Sequence, residues 1–137
     1  MSIFQSEGYA QVIGGKIWYG VSGNIRSNGV PLLVVHGGPG MSHDYLTPLA
    51  KLSKNRAIIF YDQLDAGKSD RPNEPKNWNI TRFLDEISTL LSLLSIKKFN
   101  LFGNSWGGTL SAAYAATKPA NLNRLILSSP LICTSTW

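Results

Sequence analysis

The chain is organised around one short stretch, Phe102-Gly103-Asn104-Ser105-Trp106-Gly107-Gly108. It follows an apolar run, precedes an alanine-rich one, and places a serine in the pattern G-x-S-x-G. A strand that turns sharply into a helix needs small residues on both sides of the turn, and such a turn exposes the serine hydroxyl to a base and a substrate. The stretch therefore predicts a strand, a turn and a helix, with Ser105 as the candidate nucleophile of an acyl-transfer reaction.

Two other interpretations of Ser105 remain open at this point. A serine at a glycine-rich helix N-terminus can cap the helix or cradle a phosphate without reacting, and G-x-S-x-G alone often matches by chance. A dinucleotide-binding loop is less favoured, because G-x-G-x-x-G would need glycine where Ser105 stands. The strand predicted before the serine and the helix predicted after it favour the catalytic interpretation.

Composition limits the classes of protein to which the chain can belong. It has 137 residues, of which 43% are hydrophobic and 15% charged, as expected for one globular domain with a real core. Its apolar runs, such as Leu32–Val35, are too short to span a bilayer, and its first residues resemble no secretory signal. The lone cysteine, Cys133, excludes an internal disulfide and fits a reducing compartment. We expect a cytoplasmic protein.

The basic charge does not indicate a nucleic-acid or membrane partner. The net charge is +5, but the 13 lysines and arginines are spread along the chain rather than gathered into a stripe. We therefore expect a solvated, mildly basic surface, with neither nucleic acid nor membrane as a partner.

Alternating strand and helix patterns indicate the fold class. Gly14-Gly15 separates two β-prone runs and predicts a hairpin. The remaining predicted elements are strands at Leu32–Val35, Ala57–Tyr61, Phe99–Phe102 and Leu125–Leu127 and helices at His43–Ser53, Thr81–Ile96 and Thr109–Thr117, with a long loop at Asp62–Trp78. This order predicts an α/β fold, a mostly parallel sheet with helices on both faces.

A second glycine-rich segment, His36-Gly37-Gly38-Pro39-Gly40, follows the first core strand. Such a loop can aim a bare backbone N–H into the site, where it and the N–H of Trp106 would form an oxyanion hole. The alternative is a tight turn with no ligand. We expect His36 to be structural, holding the loop by a side-chain hydrogen bond, and His43 to lie in the first turn of a helix near the cleft mouth.

A base for Ser105 is missing from the sequence. An unactivated serine is a poor nucleophile, and after Ser105 the printed sequence contains no Asp, Glu or His. The segment Asp62–Asp70 holds three carboxylates, but it lacks the spacing of a calcium loop. We expect a hydrogen-bonded structural loop there rather than a metal site, and an unreactive thiol at Cys133.

Together these segments resemble the N-terminal half of a proline iminopeptidase, a serine aminopeptidase of the α/β-hydrolase superfamily. The matching pieces are His36–Tyr45, Tyr61-Asp62-Gln63 with Gly67 and Ser69-Asp70, and Gly103–Gly108. The His-Gly-Gly-Pro-Gly loop followed by Asp-Gln-x-x-x-Gly-x-Ser is more specific than the serine turn alone. Related esterases, amidases and epoxide hydrolases share the serine turn more than this combination.

The resemblance implies roles for particular residues. Ser105 would be the nucleophile, and Trp106 and Gly38, or alternatively Gly37, would supply the oxyanion N–H groups. Family members release an N-terminal residue, preferably proline, from short peptides with a free N-terminus, without metal or organic cofactor. The residues that would shape the site are His36, Pro39, Gly40, Asn104, Gly107, Gly108, Asp62 and Gln63.

The chain departs from the family pattern in two ways. Asp65 stands where the family usually has glycine, and the sequence ends at Trp137, about where a helical cap should begin. We therefore interpret residues 1–137 as the N-terminal part of a core domain, without the cap and the strands that carry the catalytic Asp and His. Alone it should be inactive, as a truncated non-catalytic fragment or as half of an enzyme completed by a C-terminal chain. It should also self-associate through an exposed sheet edge.

Overall fold

The structure, a computed structural model, describes residues 2–132. Its strands are β1 (Ser6–Val12), β2 (Gly15–Ser22), β3 (Leu32–Val35), β4 (Ile58–Tyr61), β5 (Phe99–Asn104) and β6 (Leu122–Ser128). Its α-helices are α1 (Ile80–Leu93) and α2 (Trp106–Ala116), and 3₁₀ segments cover His43–Lys54 and Pro75–Asn77. The predicted strands, α1 and α2 are present in the described part of the chain, whereas a 3₁₀ segment replaces the predicted helix at His43–Ser53. Cys133 and Trp137 lie outside the described residues.

The strands form one six-stranded sheet in the order β1-β2-β4-β3-β5-β6. Strand β3 pairs in parallel with both β4 and β5, and β5 pairs in parallel with β6. The antiparallel hairpin β1–β2 joins the sheet through β4. The predicted α/β class, a mostly parallel sheet with an N-terminal hairpin, is confirmed.

The hairpin turn lies one residue earlier than Gly14-Gly15 suggests. Val12 pairs with Gly15, so the two turn residues are Ile13 and Gly14. Gly14 has φ of 99°, a left-handed conformation that glycine adopts without steric cost. Gly15 belongs to β2.

The central strands are buried on both faces, and their side chains alternate between two apolar clusters. In β3, Leu33 and Val35 face a cluster that includes residues of α1 and α2, whereas Leu32 and Val34 face one that includes Leu46 and Leu49 of the long 3₁₀ segment. In the described part of the chain, both α-helices therefore pack on one face of the sheet. The layer on the opposite face is the 3₁₀ segment rather than an α-helix.

The segment His43–Lys54 differs from the predicted α-helix because its turns have a period of three residues. That period brings Leu46, Leu49 and Ala50 against the sheet, while Leu52 stays 53% exposed. Pro48, which cannot donate a backbone hydrogen bond, lies inside the segment. The Tyr45 side chain is also exposed, and its hydroxyl forms hydrogen bonds with Gly37 and Asn104.

Helix α1 begins at Ile80, one residue before the predicted start at Thr81, and Asn79 is its N-cap. Its side chain accepts a hydrogen bond from the backbone N–H of Arg82 at 3.0 Å. Within residues 2–132, no helix is long and apolar enough to cross a membrane.

Candidate active site

Ser105 stands at a sharp turn between β5 and α2. Its backbone has φ of 53° and ψ of −121°, a conformation that side-chain-bearing residues rarely adopt. Helix α2 starts at the next residue, Trp106, so the first N–H groups of that helix surround the serine. Strain of this kind persists only where the surrounding structure holds it in place.

The neighbouring glycines make the tight turn possible. A Cβ atom at Gly107 would collide with the carbonyl oxygens of Val35 and His36, and one at Gly103 would collide with the Gly107 carbonyl. Gly108 has its own close neighbour in Pro130. Helix α2 therefore approaches the end of β3 at a distance that only glycine allows, which places Ser105 beside the His-Gly-Gly loop.

His36 holds that loop, as expected. Its Nε2 accepts a hydrogen bond from the backbone N–H of Gln63 at 3.0 Å, so the ring proton lies on Nδ1, which donates to the Gly37 carbonyl at 2.7 Å. The side chain is 1% exposed, and burial lowers the pKa of His36 despite the opposing bond to Gly37. A neutral ring with both nitrogens engaged fits a structural role.

Gln63 connects the loop to the serine turn. Its Nε2 donates to the His36 carbonyl at 2.8 Å, and its Oε1 accepts a hydrogen bond from Trp106 Nε1 at 3.0 Å. The Trp106 ring also meets the Phe83 ring edge to face, with centroids 5.8 Å apart. One buried glutamine therefore fixes His36 and Trp106 relative to each other.

Tyr45 makes a second connection, which the sequence did not reveal. Its hydroxyl accepts a hydrogen bond from the Gly37 N–H at 2.7 Å and donates to Asn104 Oδ1 at 2.8 Å. The Asn104 side chain in turn donates to the Ser128 carbonyl at 3.0 Å. The Gly37 N–H thus already donates to Tyr45. This favours Gly38 over Gly37 as the candidate oxyanion donor.

The rest of the loop has a backbone that requires glycine. Gly38 has φ of 126° and Gly40 has φ of 91°, with a cis peptide bond between Gly38 and Pro39. A Cβ atom at Gly38 would lie 2.5 Å from the Gly40 nitrogen. This loop and the serine turn meet at the carboxyl ends of β3 and β5.

His43 lies in the first turn of the 3₁₀ segment, as expected. Its side chain is 4% exposed and stacks on Trp18, with centroids 4.2 Å apart. Its Nδ1 lies 2.9 Å from Asp62 Oδ1, and its backbone N–H donates to the same oxygen at 2.8 Å. His43 therefore belongs to the support of the loop that follows β4.

Asp62 is a structural carboxylate. Burial raises the pKa of Asp62, but the hydrogen bonds from His43 and from the Lys68 N–H outweigh burial, so the net shift is downward. Within residues 2–132, no group of three or more metal-ligating side chains could hold an ion.

A buried ion pair beneath the site was not predicted from the sequence. Glu86 is 0% exposed, lies 2.8 Å from Arg82 Nη1, and accepts a hydrogen bond from the Leu64 N–H at 3.0 Å. Burial raises the pKa of Glu86 to about 7 although Arg82 opposes the shift. The i, i+4 spacing of Arg82 and Glu86 was a signal, but it usually marks an exposed pair.

A cavity of about 530 Å³ lies beside the serine turn. Its walls include Pro39 and Gly40 from the first loop, Gln63, Leu64, Asp65 and Asn73 from the second, and the aromatic rings of Trp78, Phe83 and Trp106. The predicted long loop at Asp62–Trp78 therefore forms one side of the cavity. Its lining is mostly apolar, as in sites for small organic ligands.

The described residues do not bring a base to Ser105. Neither His36 nor His43 makes a hydrogen bond to its hydroxyl within residues 2–132, because both rings are held by other partners. The arrangement provides a half-buried serine at a strained turn, candidate N–H donors and an adjoining cavity.

A family match identifies the class of this fold. Residues 30–137 match the family described as alpha/beta hydrolase fold. The chain therefore belongs to the alpha/beta hydrolase family.

Similarities to individual proteins are more specific than the family match. The chain is similar to the proline iminopeptidase of Heyndrickxia coagulans, at 39% identity over 96% of this chain and 46% of that protein. Among solved structures, it is similar to VinJ, with a TM-score of 0.88 and 35% identity over 93% of this chain and 44% of the other. The proline iminopeptidase of Mycobacterium smegmatis gives a TM-score of 0.81 and 33% identity, covering 88% and 42%. The chain spans about half the length of the curated relatives it matches.

Proposed function

We propose that the protein carrying this chain is a serine hydrolase of the proline iminopeptidase type. It would release N-terminal proline, or another small residue, from short peptides through an acyl-enzyme on Ser105. The observation that carries the proposal is the strained backbone of Ser105 at the start of α2, with φ of 53° and ψ of −121°. The similarity to proline iminopeptidases at 39% identity supports the substrate class.

The chemistry follows from the arrangement at the turn. The Ser105 hydroxyl oxygen gives its proton to a base and attacks the carbonyl carbon of the substrate's first residue, and negative charge develops on the carbonyl oxygen. When this intermediate collapses, the peptide C–N bond breaks and the rest of the peptide leaves as an amine that takes up the proton. Water then hydrolyses the ester on Ser105 and releases the N-terminal residue. The N–H groups of Trp106 and Gly38 stabilise that charge, because fixed donors need no reorganisation as the charge forms. Gly37 contributes to holding the loop through Tyr45 instead.

The base that accepts the Ser105 proton comes from outside residues 2–132. His36 is neutral, buried and hydrogen-bonded at both nitrogens, so it supports the loop and does not accept the proton. We therefore expect residues 1–137 alone to hydrolyse proline arylamides at background rate. An oxyanion hole without its triad partners can still leave a residual rate, roughly 10³-fold over water.

The test is the hydrolysis of three substrates by the intact protein: proline 4-nitroanilide, N-acetylproline 4-nitroanilide and 4-nitrophenyl acetate. An aminopeptidase cleaves the first, rejects the blocked analogue, and loses its activity in Ser105→Ala. Ser92→Ala, an exposed serine on α1, is the matched control and should retain full activity.

Two other outcomes correspond to the alternatives. Preference for the ester, with equal rates on free and blocked amides, would indicate a related esterase or amidase. No turnover of any substrate, together with no labelling of Ser105 by a fluorophosphonate, would indicate a non-catalytic protein. Turnover by residues 1–137 alone that disappears in Ser105→Ala would contradict the assignment of the base to other residues.

A further inference from the structure

Asp65 has a backbone conformation that aspartate does not usually adopt. Its φ is 67°, in the left-handed region that favours glycine, although Asp and Asn enter it more readily than other residues. It lies in the loop that follows β4, three residues after Asp62. A strained residue persists where its contacts compensate for the strain, so its side-chain partners indicate its role.

Both carboxylate oxygens of Asp65 have a partner across the loop. Oδ1 accepts a hydrogen bond from the Asn73 N–H at 2.8 Å, and Oδ2 accepts one from Trp78 Nε1 at 2.9 Å. The Asp65 backbone N–H also donates to the Asp70 carbonyl at 2.9 Å. Asp65 is thus hydrogen-bonded to Asp70, Asn73 and Trp78, which lie 5, 8 and 13 residues further along the chain.

The two residues that the carboxylate holds are both walls of the cavity. Asn73 and Trp78 line it together with Asp65 itself, and Phe83 and Trp106 contribute the other aromatic rings. Trp78 is 52% exposed, so burial alone does not fix its ring. The indole hydrogen bond to Asp65 is therefore the polar contact that sets where this ring stands.

We propose that Asp65 is a positioning residue for the substrate cavity, which it shapes by holding the Trp78 ring in place as a wall. The proposal rests on the proposed function only in taking this cavity to be the one that receives the substrate's N-terminal residue. The carboxylate acts through Trp78 and need not touch the reacting atoms. Its removal should weaken substrate binding more than it slows the chemical step.

The first experiment measures the Trp78 indole directly and needs no activity. In ¹⁵N-labelled intact protein, Asp65→Gly should shift the Trp78 Nε1–H resonance and speed its hydrogen exchange at least ten-fold. Glycine suits the positive φ, so this variant should remain folded. Asp70→Asn is the matched control, because Asp70 anchors the same loop through the Lys16 N–H at 2.8 Å and lines no part of this cavity.

The second experiment separates binding from chemistry in the intact enzyme with proline 4-nitroanilide. Asp65→Gly should raise KM about ten-fold, the factor that corresponds to one lost hydrogen bond, and leave kcat within about two-fold. Trp78→Phe keeps a ring but loses the donor, so it should raise KM similarly. The double variant should have the same KM as either single variant, because both substitutions remove the same hydrogen bond.

The outcomes distinguish this proposal from the proposed function. An unchanged indole resonance and exchange rate in Asp65→Gly, or a fall in kcat at constant KM, would overturn the positioning role. If the intact protein hydrolyses no arylamide, the proposed function fails, and the indole measurement still decides whether Asp65 holds Trp78.

Discussion

Strand β5 has two unequal sides. On one side it pairs with β3, whose four residues are all buried, as are those of the next strand, β4. On the other side it pairs with β6, where Leu125, Ile126 and Leu127 are between 36% and 44% exposed. The backbone pairing is parallel on both sides. Pairing alone therefore does not make a core.

The difference comes from the layers that cover the sheet. Helices and the long 3₁₀ segment cover β3 and β4 on both faces, whereas β6 has α2 beside it and an outer edge with no partner strand within residues 2–132. Ser105 lies at the boundary between the two sides, because its N–H donates to the Ser128 carbonyl at 3.1 Å. An open edge with exposed apolar side chains invites association, so self-association or a complementing chain remains a prediction.

The largest expected effect compares two isoleucines on the two sides of β5. Ile59 in β4 is 0% exposed, and Ile126 in β6 is 44% exposed. Ile59→Ala should lower the free energy of unfolding by about 2–5 kcal/mol, because it leaves a cavity in a packed core. Ile126→Ala should cost less than about 1 kcal/mol in residues 1–137, since its side chain is already half solvated. Urea denaturation of both variants measures the difference.

The same pair measured in the intact protein sharpens the comparison. If residues outside 2–132 cover β6, Ile126→Ala should lower the free energy of unfolding by nearly as much as Ile59→Ala does. Equal costs for the two substitutions in residues 1–137 alone would contradict the exposure of β6, or would reveal self-association through it. Sedimentation of the same samples separates those two explanations.

The next effect concerns Glu86, the charged group buried on the covered side. Burial raises the pKa of Glu86 from its ordinary value of 4.5 to about 7. The folded state then binds the proton more tightly than the unfolded state, so the contribution of Glu86 to stability is largest below pH 4.5 and is lost as pH rises through 7. The difference is on the order of 3 kcal/mol across this window.

The variant Glu86→Gln tests the sign of this pH dependence of stability. The variant cannot titrate, so the stability of the wild type relative to Glu86→Gln should fall between pH 5 and pH 7.5, as measured by urea midpoints. His36, whose pKa is lowered by burial, contributes the opposite slope below pH 6.5 in both proteins and cancels in the comparison. Asp85→Asn, an exposed neighbour on α1, is the control. A relative stability that rises with pH would refute the raised pKa.

Much of the fold could be predicted because its signals are local. Continuous apolar runs indicated β3, β4 and β5, and apolar residues at helical spacing indicated α1. The segment His43–Ser53 was expected to be an α-helix, because apolar residues three apart suit both periods. Packing on the sheet determines which period forms, and the structure has a 3₁₀ segment at His43–Lys54. The hairpin turn was displaced by one residue, since either glycine could occupy it.

The candidate site was predictable only where residues are neighbours in sequence. The serine turn and the His36 loop have local glycine patterns, and the hydrogen bond that holds His36 was expected. Tyr45 and Glu86 were missed as members of the site, because their partners Asn104 and Leu64 lie 59 and 22 residues away. Which distant polar groups meet is decided by the register of the sheet and the course of the loops, and neither is visible in one sequence.

A smaller effect on stability is expected at Ser105, which lies at the boundary between the two sides of β5. Ser105→Gly removes the side chain from a backbone conformation that only glycine adopts easily. It should raise the free energy of unfolding by about 1 kcal/mol, while glycine's greater freedom in the unfolded chain offsets part of the gain. Under the proposed function it should also abolish turnover. The matched control is Ser92→Gly in the last turn of α1, which should destabilise by about 0.5 kcal/mol. Destabilisation by Ser105→Gly would show that the turn is not strained.

The smallest effect is expected at Tyr45, which connects the two sides of β5. Tyr45→Phe removes the hydroxyl between the Gly37 N–H and Asn104, but the side chain is 39% exposed, so water can replace the lost partners. The free energy of unfolding should fall by about 0.5 kcal/mol, the low end for a hydrogen bond, and kcat should fall less than ten-fold. Tyr9→Phe, an exposed tyrosine in β1, is the control and should change neither. A loss of kcat above a hundred-fold at normal stability would mean that the Tyr45 hydroxyl contacts the reacting group. The boundary would then contribute a catalytic residue from the 3₁₀ segment as well as the serine from β5.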